Sequence, residues 1–170
     1  MKFFLILCLS TLMFSCQSYI DEISNNLDVI SLEEAEKYNV DYKFNGGHYE
    51  NDGVSSIGIL FYKNEKLGTN EARKLFLVLH KDILLKIKKD ILINKYINGE
   101  ALKKNDLEIS LSFKNKKGEF FNAPYVATAR NEENEVIFSF IDEKTGKTTR
   151  YKETLEEAYR IVEEEERLSL

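Results

Sequence analysis

The spacing of apolar and polar positions changes several times along the chain, and each change marks a predicted element. The run SSIGILFYK puts Ile57, Ile59 and Phe61 on one face and predicts a strand. Residues 70–97 then switch to steps of three and four. Ala72, Phe76, Leu79, Ile83, Ile87 and Ile91 form one stripe, which predicts a single long helix. Thr69 or Asn70 can cap its start, Glu71 suits its positive end, and Gly99 suits its stop. A second stripe, Val78, Leu85, Leu92 and Tyr96, lies nearly opposite and needs a cover of its own. After Gly99 the period becomes two. LEISLSF places Leu107, Ile109, Leu111 and Phe113 on one face, with Glu108, Ser110 and Ser112 on the other. EFFNAPYVATA, EVIFSFI and TTRYK follow as further strands between tight turns. Thr154 and Glu157 open a closing helix whose Leu155, Ala158, Tyr159 and Val162 share a face. That face can cover part of the sheet or the second stripe; a partner protein is the other candidate cover.

Before the first good strand the signals are shorter. Ser31 followed by Glu34 is a capping-box pattern and predicts a short helix over residues 32–38. VDYKF reads as a brief strand. NGGHYENDG reads as a loop, because Gly46, Gly47 and Gly53 interrupt any regular element. Ile20, Ile23, Leu27 and Ile30 keep helical spacing in the stretch before residue 31.

The N-terminus carries an address. Lys2 precedes a nearly unbroken apolar run from Phe3 to Phe14, too short for a hydrocarbon layer, which takes about 20 residues. Met13, Phe14, Ser15 and Cys16 follow the order apolar, variable, small, cysteine. This resembles the lipobox of bacterial lipoproteins. The resemblance covers residues 1–16 and implies a signal peptide over residues 1–15, lipid on Cys16 and export to a membrane-anchored place in the cell envelope. A plain secretory signal with an incidental Cys16, or an uncleaved anchor, is the alternative. Residues 16–30 are then expected as a tether and residues 31–170 as one α+β domain.

Composition narrows the chemistry. The two cysteines are Cys8 and Cys16, so a processed chain would have neither a disulfide framework nor a cysteine metal site. Its stability must come from a core, for which 43% hydrophobic residues suffice. The net charge of −5 argues against a nucleic-acid partner, which is bound through Lys and Arg clusters. No GxSxG, GxGxxG or Walker pattern occurs, and no cofactor is implied. His48, near Glu50 and Asp52, matches no metal-ligand spacing, so no metal site is expected. The acidic runs NEENE and EEEER read as a solvated turn and a solvated helix surface. His80 and Tyr125 are the candidate ligand contacts, in a pocket between helix and sheet with Phe121 and Phe138 on its walls.

The element order is strand, long helix, four strands, closing helix. Over residues 54–151 it resembles the cystatin-like and NTF2-like order. The expected fold is therefore α+β: a long helix on a four- to five-stranded antiparallel meander, with a short N-terminal helix and a C-terminal helix. No QxVxG run or Trp hairpin is present, so the cystatin inhibitory activity does not carry over. The expected function is a binding or scaffolding domain held to the membrane, with a possible protein partner. A small-ligand pocket and a hydrolase-type enzyme are the second and third readings.

Overall fold

The computed structural model describes residues 2–50, 53–97 and 106–168; within these, the side chains of residues 2–18, Tyr49, Glu50, Glu166 and Leu168 lie outside the described residues. The elements are α1 (Lys2–Tyr38), β1 (Asp41–Glu50), β2 (Gly53–Lys63), α2 (Thr69–Lys89), α3 (Ile91–Tyr96), β3 (Leu107–Phe113), β4 (Thr128–Glu132), β5 (Glu135–Ile141), β6 (Thr148–Thr154) and α4 (Leu155–Leu168). The fold is α+β. One sheet holds the six strands in sequence order, and helices pack on one of its faces. Among the described residues no helix is long and apolar enough to cross a membrane.

The alternation read from β2 and β3 is obeyed. Ile57, Ile59, Phe61, Leu107, Ile109, Leu111 and Phe113 are buried in one core with the inner face of α2, which lies over β3 and β4. On the helix side, Ala72, Phe76, Leu79, Ile83 and Ile87 have no exposed surface.

The sheet is mixed and six-stranded, not the expected antiparallel meander of four or five strands. β2 and β3 run parallel, and the remaining neighbours are antiparallel. Length explains this. The 21 residues of α2 span about 32 Å at 1.5 Å per residue, nearly the length of β2. The helix therefore returns the chain to the beginning of β2, where Ile97 bridges Val54 in parallel. β3 must start there and run beside β2.

Three local expectations are also corrected. The brief strand read from VDYKF does not stop at the Gly loop: β1 continues through Gly46, Gly47 and His48 and pairs with β2 along its length. The predicted long helix is two helices. Asp90 leaves helical geometry at ψ 114°, and its carboxylate accepts the Leu92 and Ile93 N–H groups at 2.9 and 2.8 Å. A side-chain acceptor that caps a new helix start competes with the continuing backbone. The break turns the stripe, so Ile93 is buried while Ile91 is 89% exposed. At the start of α2 the cap residue is Gly68, not Thr69 or Asn70, and the Glu71 carboxylate accepts the Gly68 N–H at 2.7 Å. The expected stop at Gly99 lies outside the described residues.

α1 is one helix to Tyr38, and Ser31 sits inside it without a capping role. Over residues 19–38 it packs on the body. Ile23 and Leu27 are buried, Asp28 accepts from Tyr42 and from Asn45 (2.7 Å), and Asp82 accepts from Lys37 and from Tyr38 (2.6 Å). Tyr19 stacks on Tyr96 at 4.9 Å between ring centroids. This covers the lower end of the second stripe. α4 flanks the other side of α2, with Glu165 reaching Asn70 and Lys74, each at 2.9 Å. Leu85 stays 45% exposed at the edge of a hollow shared with Tyr159 and Glu163.

These burials set a contrast. Leu79→Ala should cost about 2–5 kcal/mol in chemical denaturation, as for other sealed aliphatics. Leu85→Ala should cost under about 1 kcal/mol, since much of its side chain already meets water. Equal losses would show that the buried face of α2 is wrongly placed.

Candidate functional site

The residues singled out from sequence are dispersed. His80 is wholly buried in α2. Its ring stacks on Phe76 with centroids 6.0 Å apart, and Nδ1 lies 3.4 Å from the Tyr159 hydroxyl. Burial pushes the Tyr159 hydroxyl up to about 12, so the residue is neutral at ordinary pH. This contact ties α4 to α2. Tyr125 lies in the β3–β4 connection, 36% exposed, with the Lys66 ammonium 5.1 Å from its ring centroid and 5.8 Å from that of Phe121. Phe138 is sealed in the core beneath Arg73. Neither His80 nor Tyr125 lines the hollow beside Leu85. His48 is exposed on β1, opposite Ser56; the Glu50 side chain and Asp52 lie outside the described residues. So does the Cys16 side chain. Among the described residues, no group of three or more His, Cys, Asp or Glu could hold a metal ion.

Sequence reasoning missed a buried ion pair. Arg73 Nε donates to Glu153 Oε1 at 2.6 Å, and Nη2 donates to Oε2 at 2.9 Å. Arg73 Nη1 donates to Asn70 Oδ1 at 2.6 Å, and the guanidinium lies 5.6 Å from the Phe138 ring centroid. The hydrogen bonds to Glu153 hold the guanidinium above its ordinary value, against desolvation. The pair joins the first turns of α2 to edge strand β6. Eighty positions separate its members, so only the placement of an arginine beside Ala72 and Phe76 hinted at it.

The second feature lies on the sheet face away from the helices. Because Ile57 and Ile59 point inward, Gly58 and Leu60 point outward, and on β1 Phe44 and Gly46 do the same. Gly46 is directly opposite Gly58, and Phe44 opposite Leu60. Glu108 and Ser110 follow on β3, and Arg130 pairs with Ser110 from β4. Together they line an open hollow of about 360 Å³, within the range of roughly 300–1,000 Å³ for small-ligand sites. Two glycines form its floor, Phe44 and Leu60 one wall, and Glu108, Ser110 and Arg130 a polar rim. Arg130 donates to Glu132 at 3.0 Å.

Asn131 sets this geometry. Beyond Arg130 the strand β4 no longer pairs with β3. The buried Asn131 amide continues the ladder instead: Nδ2 donates to the Leu107 carbonyl, and Oδ1 accepts from the Ile109 N–H, both at 2.7 Å. A side chain that donates and accepts like a peptide group leaves no orphaned backbone. It also fixes the spacing of β3 and β4 beneath the Arg130 side chain.

Two outcomes follow from the groups around α4 and β6. Glu153→Ala should destabilise by about 3–5 kcal/mol, because it leaves Arg73 buried and unpaired, whereas replacing both by apolar residues should cost far less. Denaturant midpoints of the single and double variants test this. Tyr159 holds its proton more tightly when folded than its ordinary value near 10. Its contribution is complete below about pH 10 and is lost as pH rises through about 12. Stability should therefore fall in that window, and less steeply in Tyr159→Phe; identical slopes would refute the assignment. Comparison of the chain with protein-family models, with curated proteins and with solved structures finds no match.

Proposed function

We propose that this protein is a lipid-anchored binding domain of the bacterial cell envelope, held to the membrane through lipid on Cys16 and using the open face of its sheet to bind. The observation that carries the binding part is the one-sided architecture. The helix layer seals one face with Phe76, Leu79 and Ile83 of α2, over a sheet that contributes Phe138, while the opposite face keeps a hollow with a polar rim. A filled interface between helix and sheet leaves little room for a ligand there, which favours the outer face over the inner one. The anchor part rests on the lipobox-like Met13-Phe14-Ser15-Cys16. An order of elements that resembles the cystatin-like and NTF2-like one is compatible with a binding role, though the parallel β2–β3 pair departs from it.

The anchor is tested by mass spectrometry of the mature N-terminus from native membranes. The expected species begins at Cys16 and carries acyl chains. Cys16→Ser should accumulate an uncleaved precursor, since cleavage at a lipobox follows lipid attachment. An unacylated mature chain that begins elsewhere would overturn the anchor.

A further inference from the structure

Gly46 and Gly58 face each other in the middle of the β1–β2 pair. Nothing in the fold requires glycine at either place. Neither adopts a left-handed φ. A Cβ on Gly46 would have no atom within 4 Å, and one on Gly58 would meet only the Gly46 carbonyl oxygen at 3.9 Å, an ordinary contact. The irregularities of β1 lie between Tyr42 and Phe44 and between His48 and Tyr49, away from this pair. Glycine inside a strand weakens it, and where no turn, bulge or crowding demands it, it marks close approach by another molecule.

We propose that the hollow above Gly46 and Gly58 binds a neutral sugar ring. This rests on the reading of the open face as a binding surface and names its ligand class. The floor carries no side chain, so a flat ring can lie on the backbone. Phe44, 59% exposed, presents an aromatic wall beside it. A pyranose has an apolar C–H face and a girdle of hydroxyls that both donate and accept. The first suits Phe44 and Leu60. The second suits the Glu108 carboxylate, the Ser110 hydroxyl and the Arg130 guanidinium. Charge narrows the class further. Arg130 already donates to Glu132 outside the hollow, and Glu108 lies across from it, so the one basic group of the rim is already neutralised, which disfavours phosphates and acidic sugars. An extended peptide would need unpaired ladder groups; β1 offers these at its outer edge, beside the hollow, while those beneath the hollow are spent between β1 and β2.

The test uses the full chain in phosphocholine micelles, which carry no sugar headgroup. Amide resonances are followed by NMR during titration with cellobiose, maltose and N,N′-diacetylchitobiose. Saturable shifts at Gly46, Gly58 and Ser110 with at least one disaccharide are expected. Phe44→Ala and Gly46→Val should each weaken that binding at least about tenfold, while Gly46→Val keeps or raises the melting temperature. Silence with all three sugars would overturn the proposal, as would binding that survives both substitutions. A melting temperature lowered by Gly46→Val would show that the fold itself needs the glycine, and would overturn it too. Shifts caused by an extended peptide and by no sugar would overturn the ligand class. The Cys16 analysis is independent: an unacylated protein that binds a disaccharide removes the anchor and keeps the site.

Discussion

Phe76, Leu79, Ile83 and Ile87 run down α2 with no exposed surface, sealed in one core with Ile57 and Phe61 of β2 and Leu107 and Phe113 of β3. At about 1.5–3 kcal/mol per sealed side chain, this seam outweighs the other local contacts, and the topology follows from it. α2 must lie along the strands to keep its stripe covered, so it carries the chain back to the start of β2, and β3 has to begin there. From β3 onward each strand returns by a hairpin or loop and adds to the free edge. The last strand, β6, releases the chain where α4 can turn back along α2. The layer of helices is then complete on one face, and no segment of the described chain is left to cover the other.

The polar contacts divide by depth. Between α1 and α2, Lys86 with Glu33 and Lys37 with Asp82 are partly exposed pairs, each worth little in isolation, while Lys86 also reaches the buried Glu34. The Arg73–Glu153 pair is sealed, and its desolvation offsets much of its attraction. Its effect is selective. A guanidinium fork admits a carboxylate in one geometry, so β6 cannot slide along β5 without leaving a buried charge. Asn131 acts in the same way between β4 and β3, with neutral groups.

The legible parts of this fold were those with an uninterrupted period. β2, β3 and the upper stripe of α2 obey the alternation and the three-four spacing, because burial on one face imposes both. The start of β1 is legible in VDYKF, but its second half is hidden by the very glycines that give its outer face a floor: Gly46 and Gly47 remove the alternation that marks a strand. The break at Asp90 was hidden because Ile91 continues the stripe in register; only the competition of the Asp90 carboxylate for two N–H groups decides against the helix. The parallel step from β2 to β3 depends on the length of α2 and not on any residue. Arg73 and Glu153 could not be paired from sequence, since contact between α2 and β6 is a product of the whole sheet. His80 and Tyr125 read as candidate ligand contacts in the sequence; the structure packs His80 between α2 and α4 and sets Tyr125 beside Lys66, and a histidine that holds two helices together has the same local pattern as one that holds a ligand.

The direction of α1 bears on how the open face would be presented. Tyr19 stacks on Tyr96, beside the start of β2, and Tyr38 ends near Lys63, at the finish of β2. α1 therefore runs along the sheet from one end of the strands to the other. Cys16 belongs to the same helix, just before Tyr19. On the proposed anchoring, the membrane lies at the Tyr96 end of the molecule, with the strands pointing away from it. A sheet held end-on turns its faces sideways, and neither is pressed against lipid. The inner face is sealed by helices; the outer one, with the Gly46–Gly58 floor partway along the strands, would stay open to solutes. A helix packed through Ile23 and Leu27 holds that posture without a long flexible tether, so the orientation of the hollow follows from the same apolar packing that closes the core.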